Sequence, residues 1–307
     1  MLKPVVEHHS RMQHPYFQQT IALTTKHKKA SALGLPLRAG VGLIVKEVQV
    51  DTDIFGTFTG EVERTGTPLE TAIKKARLGM KECLTSLGLA SEGSFGSHPF
   101  IPFIAGCEET IVLVDDVSGF HISESLISTK TNFGSRETSC IEDIEDFLKQ
   151  VKFPSHALIV KPNQTDGGFV QKIRRMFRKS NTDILKGIQN RESLKLAIEA
   201  CSSASFDGFA RVETDMRAHM NPTRMRVLRE LGILFARRLR SLCTECGCPG
   251  FGRTSVTGLL NCSECGYPSE SPSHEIHSCA KCHHSKTLPR RDGITSVEPM
   301  YCQRCNP

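Results

Sequence analysis

The chain has 307 residues, 38% of them hydrophobic and 23% charged, a balance that suits a globular protein with room for two or three domains. Its 39 Lys and Arg against 33 Asp and Glu leave a net charge of +6, which permits contact with nucleic acid or phosphorylated ligands without requiring it. No stretch reaches membrane-spanning length, residues 1–20 lack the apolar core and cleavage site of a secretory signal, and the absence of Trp beside three Tyr argues against a base-stacking platform.

In chain order, residues 1–18 read as an irregular tail. A buried strand is expected at Thr20–Thr25, followed by the basic turn Lys26-His27-Lys28-Lys29, with a second strand at Val41–Val50. Thr67, Pro68 and Glu70 have the spacing of a capping box that opens a helix. The apolar face of that helix is Leu69, Ala72, Ile73, Ala76, Met80, Cys83 and Leu84. Leu87–Ala90 leads into Ser91-Glu92-Gly93-Ser94-Phe95-Gly96 and then a Pro-punctuated loop.

Strands are expected at Thr110–Val114 and Phe120–Ser128, with a turn at Gly119. A helix capped by Ser139 should span Ile141–Val151. Further on come a strand at His156–Val160, a basic helix at Lys172–Lys179, a helix at Ser193–Cys201 and a strand at Phe209–Glu213. Asn221-Pro222 then opens a long helix whose inward face is Met225, Leu228, Leu231, Phe235, Leu239 and Leu242. This alternation predicts an α/β fold: a twisted mixed sheet with flanking helices over residues 19–240, with a candidate split into two lobes near residue 150.

Residues 241–307 have a different character. Four Cys-x-x-Cys pairs stand at Cys243/Cys246, Cys262/Cys265, Cys279/Cys282 and Cys302/Cys305. Fifteen residues separate the first two pairs and nineteen the last two, gaps that fit two four-cysteine zinc ribbons built from adjacent pairs. Zinc accepts four thiolates in a tetrahedron, and a site so filled has no open position for water, so the expected cofactors are two structural zinc ions. Disulfides are the alternative, but they need an oxidising compartment. The expected location is cytoplasmic, with Cys83, Cys107, Cys140 and Cys201 as isolated reduced thiols. Cys248 is a spare thiol, and His277, His283 and His284 are substitute ligands.

Three polar clusters are candidates for chemistry. Thr24 through Lys29 follow a strand, where backbone N–H groups and lysines hold phosphate. Asp51, Asp53, Glu61, Glu63, Glu70 and Glu92 form the second, a carboxylate set suited to Mg²⁺ with substrate phosphates, although the capping box already accounts for Glu70. The third runs from Glu213 to Arg224. Asn221 there is explained as an N-cap, whereas Asp215, Arg217, His219 and Arg224 are not. A polar turn at the carboxyl end of a strand is where α/β proteins bind ligands.

From about residue 20 onward the chain resembles a family of bacterial proteins of uncharacterised function. That family carries the phrases found here at Asp51–Glu61, Ser91–Gly96 and Glu213–Ala218, and a C-terminal double ribbon. Residues 20–130 also resemble the inosine/xanthosine triphosphate pyrophosphatases. Thr24 and Lys29 match their Thr-x-Asn-x-x-Lys phrase, with Lys26 at the Asn position. Glu70, Lys75-Ala76-Arg77 and Glu92-Gly93 match their later elements. Residues 156–224 echo part of an ATP-grasp ligase through Lys161-Pro162, Gly167-Gly168 and Val212-Glu213.

The pyrophosphatase resemblance implies a Mg²⁺-dependent hydrolase of a nucleotide or related phosphate compound. Glu70 and Glu92 are its candidate catalytic residues, and Lys29 and Thr24 its candidate phosphate ligands; from the third polar cluster Asp215 and His219 are added to the catalytic candidates and Arg217 to the phosphate ligands. The competing expectation is a binding module. In that reading the ribbons and nearby arginines, among them Arg224, Arg238 and Arg290, contact nucleic acid or protein.

Overall fold

A computed structural model describes residues 14–56, 65–163 and 184–307. Glu61, Glu63, Gly167-Gly168 and the expected Lys172–Lys179 helix lie outside the described residues. The first sheet has the order β2-β1-β3-β4-β5, built from β1 (Thr20–Thr24), β2 (Ile44–Val48), β3 (Leu87–His98), β4 (Ile101–Asp115) and β5 (Phe120–Ser128). β1 is parallel to β2 and β3, whereas β3, β4 and β5 form an antiparallel meander. The fold is thus mixed α/β, as expected.

Alternation along the strands places a core on each face of this sheet. Leu89, Ile111 and Leu113 pack with Leu33 and Leu37 of α1 (Ala30–Val41) and with Leu231 and Phe235 of a long helix, α5 (Pro222–Arg240). Their neighbours Ala90, Val112 and Val114 face the other way, onto Ala72, Ala76 and Met80 of α2 (Pro68–Glu82). The capping box of α2 forms as its sequence demands, with Thr67 and Glu70 exchanging hydrogen bonds. The helix stops at Glu82. Leu84, expected on its apolar face, has φ of 51° and is 94% exposed.

Helix α1 has no counterpart in the sequence reading. Gly34, Pro36 and Gly40 all oppose an isolated helix there. Tertiary packing overrides that preference. A Cβ on Gly40 would sit 2.7 Å from the Ala236 Cβ, so α1 and α5 approach closely because Gly40 has no side chain.

Residues between β5 and α5 build the second sheet, order β6-β9-β7-β8, from β6 (Ser135–Thr138), β7 (Leu158–Pro162), β8 (Leu185–Ile188) and β9 (Ala210–Thr214). All its neighbours are antiparallel. Leu158, Val160, Ala210 and Val212 face a core completed by α3 (Glu145–Gln150) and α4 (Arg191–Ala204). The expected Ile141–Val151 helix is divided. Ile141–Ile144 is a 3-10 turn, and the side chain of Ser139 does not cap it; instead the Thr138 hydroxyl bonds to Cys140.

The β3–β4 hairpin also runs further than expected, since the Pro-punctuated stretch continues into paired strand. Pro99 and Phe100 form the turn itself, and Pro102 lies where the ladder shifts register between the His98–Ile101 and Ser97–Ala105 pairs. Among the described residues, no helix is long and apolar enough to cross a membrane.

Candidate functional site

The second sheet leaves one face of β7 and β9 outside its core. Alternation places Ile159, Lys161, Arg211 and Glu213 on that face. Opposite them stand the carboxyl half of β1, the turn after it and Ser91–Phe95 of β3. Between these walls lies a cleft of 660 Å³. Lys26, Lys29 and Lys75 line it from the first sheet, and Lys161, Lys186, Arg211 and Arg217 from the second, against the carboxylates Asp53, Glu92 and Glu213.

Several of these charges are held in place. Lys75 Nζ donates to Glu92 at 2.7 Å in a largely buried pair. Arg217 Nε and Nη2 donate to Asp215 at 3.0 and 2.5 Å, and the backbone N–H of Arg217 donates to the same carboxylate. Asp215 is fully buried behind the wall, so it orients Arg217 and does not itself line the cleft. Its hydrogen bonds push Arg217 above the usual guanidinium range. Glu213 accepts from Lys161 at 3.0 Å and from Arg211 at 2.7 Å.

Lys29 lies at the start of α1, but its side chain turns inward. Nζ donates to the Ser91 carbonyl at 2.8 Å and to Ser91 Oγ at 2.9 Å. Burial, then the nearby Arg224, lowers its pKa to about 7, with Glu109 and Glu92 pulling the other way. Thr24, also buried, lines the cleft beside it, and its Oγ1 has no hydrogen-bond partner.

His27 and His219 stack with ring centroids 5.0 Å apart and planes at 23°. Burial first, then the charge of Lys29, lowers His27 to about 3. Burial, then Arg217, lowers His219. Two neutral rings tolerate this stacking where two cations would repel. The Nδ1 atoms of both are buried without a partner.

The structure therefore brings Thr24, Lys29, Glu92, Arg217 and His219 into one cleft, with Asp215 immediately behind. Glu70 is not among the lining residues; its carboxylate is committed to the α2 cap. The sequence reading passed over Ser91, Phe95, Phe133, Lys186 and Glu109. Strand alternation would have placed Arg211 with Glu213, and Phe95 and Phe133 come together only by folding, 6.2 Å apart.

The eight paired cysteines form two sets whose ligand atoms lie within 4.8 Å of one another. One set is Cys243, Cys246, Cys279 and Cys282, and the other Cys262, Cys265, Cys302 and Cys305. The pairing is interleaved, first with third and second with fourth, which corrects the expected pairing of neighbours. Sulfurs sit 3.6 and 3.7 Å apart across the first set and 3.6 and 3.9 Å across the second. A tetrahedron with Zn–S of about 2.3 Å has sulfur–sulfur edges of about 3.8 Å, so both sets fit zinc.

Each knuckle closes on a backbone hydrogen bond to its first cysteine carbonyl, from Gly247, Gly266, His283 and Asn306. Positive φ at Gly247 (68°) and Gly266 (68°) explains the glycine after those two pairs. Cys248 and His277, which bonds Glu275, are buried outside the first set, and the half-buried His284 stacks on Phe251. The first set is moored to the body. Arg238 of α5 bonds Glu124 and the carbonyls of Gly250 and Arg253, and Ala280 packs against the main core.

Fold and site together define an α/β protein with a basic cleft between two sheets and a pair of four-thiol clusters that could hold metal ions. The chain belongs to the family described as a domain of unknown function, DUF6671, whose model matches residues 75–307. The match begins within α2 and includes Glu92, the 213–224 segment and all eight ligands, but not Lys29. No curated protein matches the chain.

Proposed function

We propose that the cleft binds a phosphate-bearing small molecule, a nucleotide or a related compound, and hydrolyses it. The observation that carries this reading is the excess of seven basic side chains over three carboxylates lining one cleft. Phosphate oxygens need several fixed donors, and cations already anchored by Asp215 and Glu213 lose little freedom on binding. Phe95 and Phe133 stack on each other in the same space and give the cleft an apolar patch beside its charges. The order of Thr24, Lys29 and Glu92-Gly93 shared with the inosine/xanthosine triphosphate pyrophosphatases supports the same substrate class.

In hydrolysis, Lys26, Lys186 and Arg217 would neutralise charge that builds on the phosphate oxygens. Among the described residues, the groups of three or more metal-ligating side chains are the two cysteine sets. A magnesium ion arriving with the substrate phosphates would meet Glu92 and Asp53, which line the cleft, and not Glu70. The two cysteine centres have every position filled by thiolate and act as folded supports.

The arginines expected to serve nucleic acid are partly committed elsewhere. Arg224 is buried against Glu109, Arg238 ties down the first cysteine set, and Arg290 pairs with Asp292. The test is release of phosphate and pyrophosphate from a panel of standard and deaminated nucleoside triphosphates with Mg²⁺, beside Glu92→Gln. Release that the substitution abolishes supports the reading. A zinc-loaded protein that neither binds nor cleaves any of them refutes it.

A further inference from the structure

The floor of the cleft holds a hydroxyl and an amine in contact. Lys29 Nζ lies 2.9 Å from Ser91 Oγ, and both residues line the cleft while being almost fully buried. Their separation is set by rigid elements. Lys29 leads into α1, Ser91 lies within β3, and β1 joins them by pairing directly with β3. The charged groups facing Lys29 are Arg224, Glu109, Glu92 and Lys75. Both carboxylates are engaged, Glu109 with Arg224 and Glu92 with Lys75. The direct partners of the amine are therefore the two neutral oxygens of Ser91.

A buried ammonium with neutral acceptors loses more hydration than it recovers. Burial and Arg224 accordingly bring Lys29 to about 7. An amine in that range is a competent general base near neutral pH, and a hydroxyl within hydrogen-bonding distance is the group it would activate.

We infer that Ser91 Oγ and Lys29 Nζ form a nucleophile–base pair through which the cleft transfers a phosphoryl group by way of a phosphoserine. This rests on the reading of the cleft as a phosphate site. In the first half, Oγ bonds to phosphorus and the bond from phosphorus to the leaving oxygen breaks. The hydroxyl proton passes to Nζ and then to the leaving oxygen. In the second half, water attacks phosphorus and gives a proton to Nζ, the Oγ–P bond breaks, and Oγ recovers that proton. The sum is hydrolysis, with no change of oxidation state. Arg217 and Lys75 line the same cleft and would offset the charge on the phosphate oxygens.

The test uses the full-length zinc-loaded protein and diisopropyl fluorophosphate, a small phosphorus electrophile that loses fluoride to an activated serine. Peptide mapping should find the adduct on Ser91. Its rate of formation should rise with pH through an inflection near 7, the value to which burial brings Lys29. Lys29→Met should slow labelling about a hundredfold, and Ser91→Ala should abolish it. Thermal melting and zinc content check that each variant folds. If Lys29→Met does not fold, the wild-type pH profile decides: a rate that is flat between about pH 6 and 9 overturns the base role.

An adduct absent from Ser91 overturns the pair outright. Calorimetry with pyrophosphate on wild type and Ser91→Ala separates the two readings. Binding without an adduct retains the phosphate site and removes the pair. An adduct without binding retains the nucleophile and removes the phosphate substrate on which phosphoryl transfer depends.

Discussion

Arg224 at the start of α5 and Glu109 in β4 form an ion pair with Nε and Oε1 2.5 Å apart, both side chains buried, across 115 residues of chain. The same guanidinium donates to the Met216 carbonyl and lies 5.0 Å over the Phe95 ring. It therefore joins the first sheet to the segment that carries Arg217 and His219. Removing one partner strands a buried charge, so Arg224→Met should cost about 3–5 kcal/mol in guanidinium unfolding. Replacing both, with Glu109→Leu added, should recover much of that loss. A single-variant loss below about 1 kcal/mol would contradict the pair's role.

Gly93 sits against this pair. A Cβ there would meet Arg224 Nη2 at 2.6 Å and Glu109 Oε1 at 2.8 Å. These atoms are fixed by each other, so the neighbourhood has little freedom to relax. Gly93→Ala should destabilise by about 1–3 kcal/mol. A melting temperature equal to wild type would show that the pair yields.

Interleaved ligation has a consequence that adjacent pairing lacks. Metal analysis should find two zinc ions per chain, one for each four-thiol set. Cys262→Ser should lose one of them, because zinc binding and local folding are the same free energy. Hydrogen exchange should then rise around Cys302 and Cys305 and stay protected around Cys243 and Cys246. Loss of protection at Cys243 and Cys246 instead would restore the pairing of neighbours.

His27 carries a pH dependence of known sign. Its folded pKa of about 3 lies below the ordinary 6.5. As pH falls through 6.5 the unfolded chain takes up a proton that the folded chain refuses until about 3. The stability due to neutral His27 is complete above that window and declines within it, at about 1.4 kcal/mol per pH unit. His27→Phe, which keeps a ring against His219, should reduce the slope of unfolding free energy between about pH 6.5 and 5. An unchanged slope would assign the effect to other groups.

Arg217 is held by Asp215 with part of its surface toward the cleft. Arg217→Met should weaken pyrophosphate binding about tenfold, which corresponds to about 1.4 kcal/mol, while the far-UV spectrum is unchanged. Equal affinity would remove Arg217 from the site.

Signals contained within one helical turn or one strand were legible before folding. The α2 capping box, the Asn221 cap of α5 and the eight knuckle cysteines are of this kind. Each depends on residues three or four apart, and local chemistry is enough to specify it. The strands at β7 and β9 were likewise legible as strands, but the sequence reading assigned them no apolar face; the structure supplies it. Helix α1 escaped because Gly40 suits contact with Ala236, not helix propensity.

By itself the sequence determined an α/β class, the four-thiol make-up of two clusters able to hold metal and the polar segments from which a site could be drawn. Tertiary structure decided which segments meet. It gathered Lys29, Glu92, Arg217 and His219 at one cleft, left Glu70 on a helix cap, and crossed the cysteine pairs. Periodicity and spacing report on a residue's own element, whereas these outcomes depend on how separate elements pack: β1 against β3, α5 returning to the first sheet, and a buried arginine finding its carboxylate 115 residues away.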